Sequence, residues 1–224
     1  MVESLQPSME RVYKWLGGIG YILTLIPYVN FIALILIAIA WIMMGRDTKQ
    51  TLFTVTGILM IITFAMSIAA IGAMFTAIPG FIPGAAQPPT GVPPTEFLKN
   101  ILAFTGILVA IGLAMAVIGL AGLIAEIASH FRASKIFQNT WFKVGGWLKI
   151  ASVIMAVIAI PIIILTAMST PEAFRGALPS MMAGNIFALL MRMLWPLLIA
   201  IILGLLAAIF SIVAFFTIPE ETAA

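Results

Sequence analysis

One stretch constrains the fold more than any other. Between Lys14 and Arg46 the chain carries no charged residue, and only residues 27–30 (Pro-Tyr-Val-Asn) interrupt its apolar character. A straight helix over residues 13–45 would reach roughly 50 Å, whereas the hydrocarbon core of a bilayer is about 30 Å thick. The stretch is too long for one ordinary membrane span and just long enough for two short ones. How it folds decides the topology of the chain.

The amino-acid composition indicates that the chain lies in a lipid bilayer, and it excludes several kinds of functional site. Hydrophobic residues make up 63% of the chain and charged residues only 8%, a balance that fits a lipid bilayer and not water. The absence of cysteine excludes disulfides, thiolate metal sites, iron–sulfur clusters and covalently attached haem. With His130 as its single histidine, the chain alone cannot build a multi-histidine metal site. We therefore expect no cofactor and no metal.

The apolar runs and their proline and glycine boundaries predict an all-α polytopic helix bundle that forms one domain, 1–224. The first four of its six spans are residues 8–26, 29–44, 52–77 and 97–128. The fifth helix continues to about residue 168 with an interruption at Pro161, and the sixth covers residues 182–217. The proline-rich residues 79–96 cannot be helical in lipid, so we expect an extracytoplasmic loop there. The alternative is five spans, with the first long run forming one kinked or re-entrant helix.

The distribution of basic residues favours six spans over five. With six, eight lysines and arginines share one side and three lie on the other, whereas five spans give six against five. The positive-inside rule then predicts a cell-membrane protein with both termini cytoplasmic. The basic, aromatic residues 130–149 would form a cytoplasmic connector at the membrane interface. This connector would attract anionic lipid, although ordinary positive-inside anchoring explains its composition equally well.

Glu126 and His130 are the first candidate functional residues. They end a stripe on the fourth helix whose other members are small, namely Thr105, Gly112, Ala116 and Gly119. A carboxylate inside a membrane is costly, so Glu126 could serve as a proton or cation site. Alternatively it pairs with a nearby base, and His130, Arg132 and Lys135 are the candidates.

Three further polar residues interrupt the apolar helices. Arg192 could bind an anionic substrate or lipid headgroup, pair with Glu96 or Glu172, or extend to the interface as an ordinary anchor. Thr63 lies on a hydroxyl stripe with Thr56 and Ser67, which would line a pore or, more commonly, bond within the helices. Asn30, beside Pro27, would either coordinate an ion with freed carbonyls or act as a turn residue.

Three passages together resemble a known family. They read LGGIGYILTLIPYV, SKIFQNTWFKVGGWLKIA and LAAIFSIVAFFTIPEE. In these motifs the chain is similar to an archaeal family of multi-pass membrane proteins known as the domain of unknown function 996 family. The resemblance implies an all-helical fold in an archaeal cell membrane, and it brings no established activity or catalytic residue with it.

Two functional hypotheses remain open. No catalytic grouping of residues is visible, and small residues for helix packing are plentiful, so we expect a non-enzymatic structural or accessory subunit. Its partners would be the bilayer, including anionic lipid at the cytoplasmic face, and other membrane subunits or copies of itself; nucleic acid is not expected. The alternative is a channel or transporter for a small solute that uses the broken Pro27 and Pro161 regions as gates.

Overall fold

The computed structural model describes residues 12–77, 94–169 and 184–219, and all structural statements below concern these residues. Every regular element within them is helical, which confirms the predicted all-α bundle. The elements are α1 (Val12–Thr24), a 3-10 turn (Pro27–Val29), α2 (Asn30–Asp47), α3 (Thr51–Ala77), α4 (Pro94–Ile136), α5 (Thr140–Ser169) and α6 (Gly184–Phe216).

The first apolar run folds as two helices joined by a tight turn. Pro27 disfavours helical geometry in the residue before it, and Ile26 is accordingly extended, with φ −106° and ψ 110°. Of the described helices, α2 to α6 are long and apolar enough to cross a membrane, whereas the described part of α1 has only 13 residues. The chain is therefore a helical membrane protein with five to six spans.

Several helix boundaries differ from those predicted; α2, for example, continues to Asp47 and does not end at residue 44. The fourth and fifth helices extend into residues 130–149, so that only 137–139 remain between α4 and α5. Asn139 explains the sharp turn, because its Oδ1 accepts a hydrogen bond from the backbone N–H of Trp141 and caps α5. The predicted interruption at Pro161 is wrong, since α5 is a continuous helix through that residue. Membrane helices tolerate proline when local adjustments satisfy the freed carbonyl.

The remaining loop and terminal predictions lie largely outside the described residues. Of the predicted loop 79–96, residues 79–93 are not described, and residues 94–96 belong to α4 and not to a loop. The fourth helix begins at Pro94, a favourable first helical residue because proline lacks the N–H that would have no partner there.

The helices come together at one end of the bundle, which we call the basic end. Its exposed basic residues are Arg46, Lys49, Arg132, Lys135 and Lys143. Close contact there depends on glycine: a Cβ on Gly17 or Gly18 would overlap the α6 ring of Phe215 or Phe216. The small residues of α1 thus allow it to pack closely against α6.

The packing opens towards the other end of the bundle. Large apolar side chains of α4 are exposed over much of the helix, among them Leu102, Leu113, Val117 and Leu120. A Cβ on Gly112 or Gly119 would meet nothing within 4 Å. The bundle thus has a densely packed basic end and a loosely packed opposite end.

Replacing Gly57 by valine is expected to separate α2 from α3. A Cβ at this position overlaps the backbone carbonyl of Ala38, which cannot move aside as a flexible side chain would. We expect a loss of roughly 1–3 kcal/mol in the free energy of unfolding, measured by denaturant titration in mild detergent. Gly72→Val on the same helix is the matched control, because nothing lies within 4 Å of its Cβ. Equal effects of the two substitutions would contradict the proposed close contact.

Candidate functional site

A charged cluster joins α1, α4 and α5. Lys149 Nζ forms an ion pair with Glu126 Oε1, and the Tyr21 hydroxyl donates a hydrogen bond of 2.5 Å to the same oxygen. Lys149 Nζ also lies 4.9 Å from the centroid of the Tyr21 ring, within the range of a cation–π interaction. The side chains of Glu126 and Lys149 are each only 13% exposed. We call these three residues the ion-pair cluster.

The ion-pair cluster lies well inside the apolar part of the helices. Glu126 precedes the end of α4 at Ile136 by ten residues, about 15 Å along a helix. Lys149 follows the start of α5 at Thr140 by nine residues, about 14 Å. Both charged side chains are largely buried at this position, and a buried charge is costly unless it has a partner within the protein.

His130 extends the polar contacts one turn towards the basic end. Its Nδ1 lies 2.9 Å from the backbone carbonyl of Glu126, and because a carbonyl can only accept, Nδ1 is the donor. Its Nε2 lies 3.0 Å from Ser211 Oγ on α6. The Ser211 hydroxyl also reaches the carbonyl of Ala207 at 2.7 Å, so its single hydrogen has two possible acceptors when the ring is neutral. His130 thus links α4 to α6 and is fully buried.

Aromatic rings enclose His130 and Tyr21. The ring of Trp41 on α2 lies 5.4 Å from His130 and 5.3 Å from Phe53 on α3, measured between centroids. Trp41 is fully buried, and its indole N–H has no hydrogen-bond partner among the described residues. A further buried pair, Thr56 with Ser129 at 2.8 Å, joins α3 to α4. Contacts around the cluster therefore reach all six helices.

The structure confirms that Glu126 is paired but corrects its partners. Neither the His130 ring nor Arg132 nor Lys135 neutralises it; the base is Lys149, with Tyr21 as a second donor. Arg132 instead donates from Nε to Gln50 Oε1, which ties the end of α4 to the α2–α3 turn. A lysine on the next helix reaches Glu126 because α4 and α5 form a tight hairpin.

The other predicted site residues lie apart from this cluster. Asn30 is the exposed first residue of α2, beside the turn. The Thr63 hydroxyl donates to the carbonyl of Leu59 at 2.9 Å, and Ser67 bonds to Thr63 in the same way, which favours the packing interpretation of that stripe. Arg192 belongs to α6, but its side chain lies outside the part of the chain that the structure describes.

Sequence reasoning missed Tyr21, Lys149, Ser211 and Trp41 as members of one site. The first three come from the three passages that carry the family resemblance, one from each. The sequence indicated an interfacial anchor at Lys149, because this lysine is the last residue of the basic, aromatic segment 130–149. One signal was available: a carboxylate deep in a membrane needs a cation, and Lys149 lies further inside an apolar helix than the other basic residues near it.

A cavity of about 400 Å³ opens at the basic end and does not reach the ion-pair cluster. Its lining residues are Phe137, Gln138, Asn139, Thr140, Trp141, Thr217 and Pro219. The described residues include no group of three or more histidine, aspartate or glutamate residues that could hold a metal ion. The chemistry of the cluster is that of mutual neutralisation across helices.

Comparisons with known proteins give no relative. No protein family matches the chain, no curated protein does, and no solved structure does. The resemblance to the archaeal family therefore stays a prediction.

Removing one charge of the ion pair is expected to cost far more than removing both. Lys149→Met leaves Glu126 buried without its base, which should lower the free energy of unfolding by about 3–5 kcal/mol. Glu126→Gln together with Lys149→Met should recover most of that loss, because no uncompensated charge remains. Denaturant titration of the two single variants and the double variant in mild detergent measures the coupling. Additive losses would show that the two side chains do not interact.

Proposed function

We propose that this chain is a non-catalytic subunit of the cell membrane that associates through α4 with another membrane protein or with a second copy of itself. Both termini would be cytoplasmic, which places the basic end at the cytoplasmic face. The resemblance to the archaeal membrane family is compatible with this role. The supporting observation is that one face of α4 is covered by other helices near the basic end and is exposed further along the helix.

That face is closed near the basic end and open beyond it. Glu126 and His130 lie on it and contact α1, α5 and α6. Further along the same stripe, Thr105, Gly112 and Ala116 are exposed, and a Cβ at Gly112 or Gly119 would meet no atom of the described residues within 4 Å. The stripe of small residues thus continues past the helices that cover its first part.

Small residues on a membrane helix favour contact with another helix. Association in lipid depends on close packing, and glycine or alanine allows two backbones to approach. Glycine in a helix interior costs roughly 1 kcal/mol relative to alanine, so two glycines on an open face need a compensating interaction. A second helix against Gly112 and Gly119 would supply it.

The alternative is a channel or transporter for a small solute. The observation that favours it is the unpartnered indole N–H of Trp41 beside a buried charged pair, an arrangement that could bind a polar species. Against it, Glu126 is already neutralised, Thr63 bonds to its own helix, and α5 is not broken at Pro161. The subunit role agrees with more of the described contacts.

Photo-crosslinking from α4 tests the proposal directly. The chain has no cysteine, so Gly112→Cys introduces a single thiol that can carry a maleimide–benzophenone probe in native membranes. Irradiation is expected to give a protein adduct at a defined mass, either twice that of the chain or that of the chain plus a partner. Because a Cβ at Gly112 would meet no described atom within 4 Å, the Gly112→Cys substitution should leave the fold intact.

Val117→Cys provides the matched control on the same helix. Val117 is highly exposed and lies about 120° around α4 from the small-residue stripe. This position should give lipid adducts and much less protein crosslinking. Lipid adducts alone from both positions would refute the proposed association.

A further inference from the structure

The α4–α5 hairpin presents a second surface, distinct from the small-residue stripe. Lys135 and Lys143, both exposed, flank the turn between the two helices. Phe131 lies four residues before Lys135 and Trp147 four residues after Lys143, so each ring shares a helix face with its lysine. The two rings are in edge contact, with centroids 5.5 Å apart. Both lysines therefore border one continuous surface.

Exposed aliphatic side chains continue this surface away from the basic end. On α4 they follow the face of Phe131, and on α5 the face of Trp147. They are Val117, Leu120 and Ile124 on α4, and Ile154, Ile158 and Leu165 on α5. Along the hairpin the order is thus two cations, two aromatic rings, and two aliphatic stripes.

The two exposed cations of this surface have no anionic partner among the described residues. Lys149, the next lysine of α5, is neutralised by Glu126 inside the bundle. Neither Lys135 nor Lys143 forms an ion pair with a described residue. Two neighbouring positive charges at the end of a membrane helix pair attract a negative group at the level of the lipid headgroups.

We propose that this surface binds one anionic phospholipid of the leaflet at the basic end. The phosphate group contacts Lys135 and Lys143, and the glycerol and ester region lies against Phe131 and Trp147. The acyl chains follow the aliphatic stripes of α4 and α5. A phospholipid carries its negative, interfacial and apolar parts in the same order as the hairpin presents their complements.

This site does not depend on the proposed association through α4. The stripe of Val117, Leu120 and Ile124 lies about 120° around α4 from Gly112 and Gly119, so both faces can be occupied at once. A negative crosslinking result at Gly112 would not affect the proposed lipid site. A negative lipid-binding result would likewise not affect the proposed association through α4.

Lipid titration of the purified full-length chain tests the site. Native mass spectrometry in mild detergent would compare retention of phosphatidylglycerol with that of phosphatidylcholine. We expect the unmodified chain to retain one phosphatidylglycerol preferentially. Lys135→Gln with Lys143→Gln should weaken phosphatidylglycerol binding on the order of tenfold and leave phosphatidylcholine binding unchanged.

A second pair of substitutions separates a site from general attraction. Arg46→Gln with Lys49→Gln removes two positive charges near the α2–α3 turn, where both side chains are exposed. This pair of substitutions should leave phosphatidylglycerol binding within about twofold of the original value. Lys135→Arg with Lys143→Arg retains the charges and should retain binding. No preference between the two lipids, or equal losses in both glutamine pairs, would overturn the proposal.

Discussion

The ion pair between Glu126 and Lys149 imposes a condition that the rest of the structure meets. In hydrocarbon neither charge can remain alone, so α4 and α5 must meet about 14–15 Å from the basic end of each helix. The Tyr21 hydroxyl, bonded to the same carboxylate oxygen, brings α1 to that depth. A buried ion pair contributes little net stability, but it makes other arrangements of the helices costly.

The backbone must allow the helices to approach closely enough for the contacts of Glu126, Lys149 and Tyr21. Glycines do this on α1, where Gly17 and Gly18 receive Phe215 and Phe216 of α6. His130 then reaches Ser211 on α6 between rings that fill the space around it. Further from the basic end, a Cβ on Gly106, Gly112 or Gly119 of α4 would meet no atom of the described residues within 4 Å. The basic end of the bundle is therefore held together by contacts within the chain, whereas the face of α4 further from that end is exposed.

Local rules predicted the features that depend on local causes. Pro27 marks the place where the first apolar run divides, and the choice between two spans and one kinked helix rested on the distribution of basic residues. The partner of Glu126 was not predictable in this way, because Lys149 is 23 residues away and its position depends on where the α4–α5 turn falls. Asn139 sets that turn through its contacts with α6, at the carbonyl of Ala214 and the hydroxyl of Thr217. Placing Trp41 in the core likewise depends on distant residues, since its ring contacts Phe53, His130, Phe142 and Phe215 on four other helices.

The central claim is that the polar cluster closes the bundle and does not line a path for water or solute. Ser211→Cys tests it, because the substitution is nearly isosteric and the residue is fully buried against His130. In sealed vesicles, a membrane-impermeant thiol reagent applied from either side should leave this cysteine unmodified, and unfolding the protein should make it fully reactive. Rapid modification in the folded protein from either side would contradict the account and indicate a water-accessible pathway at the cluster.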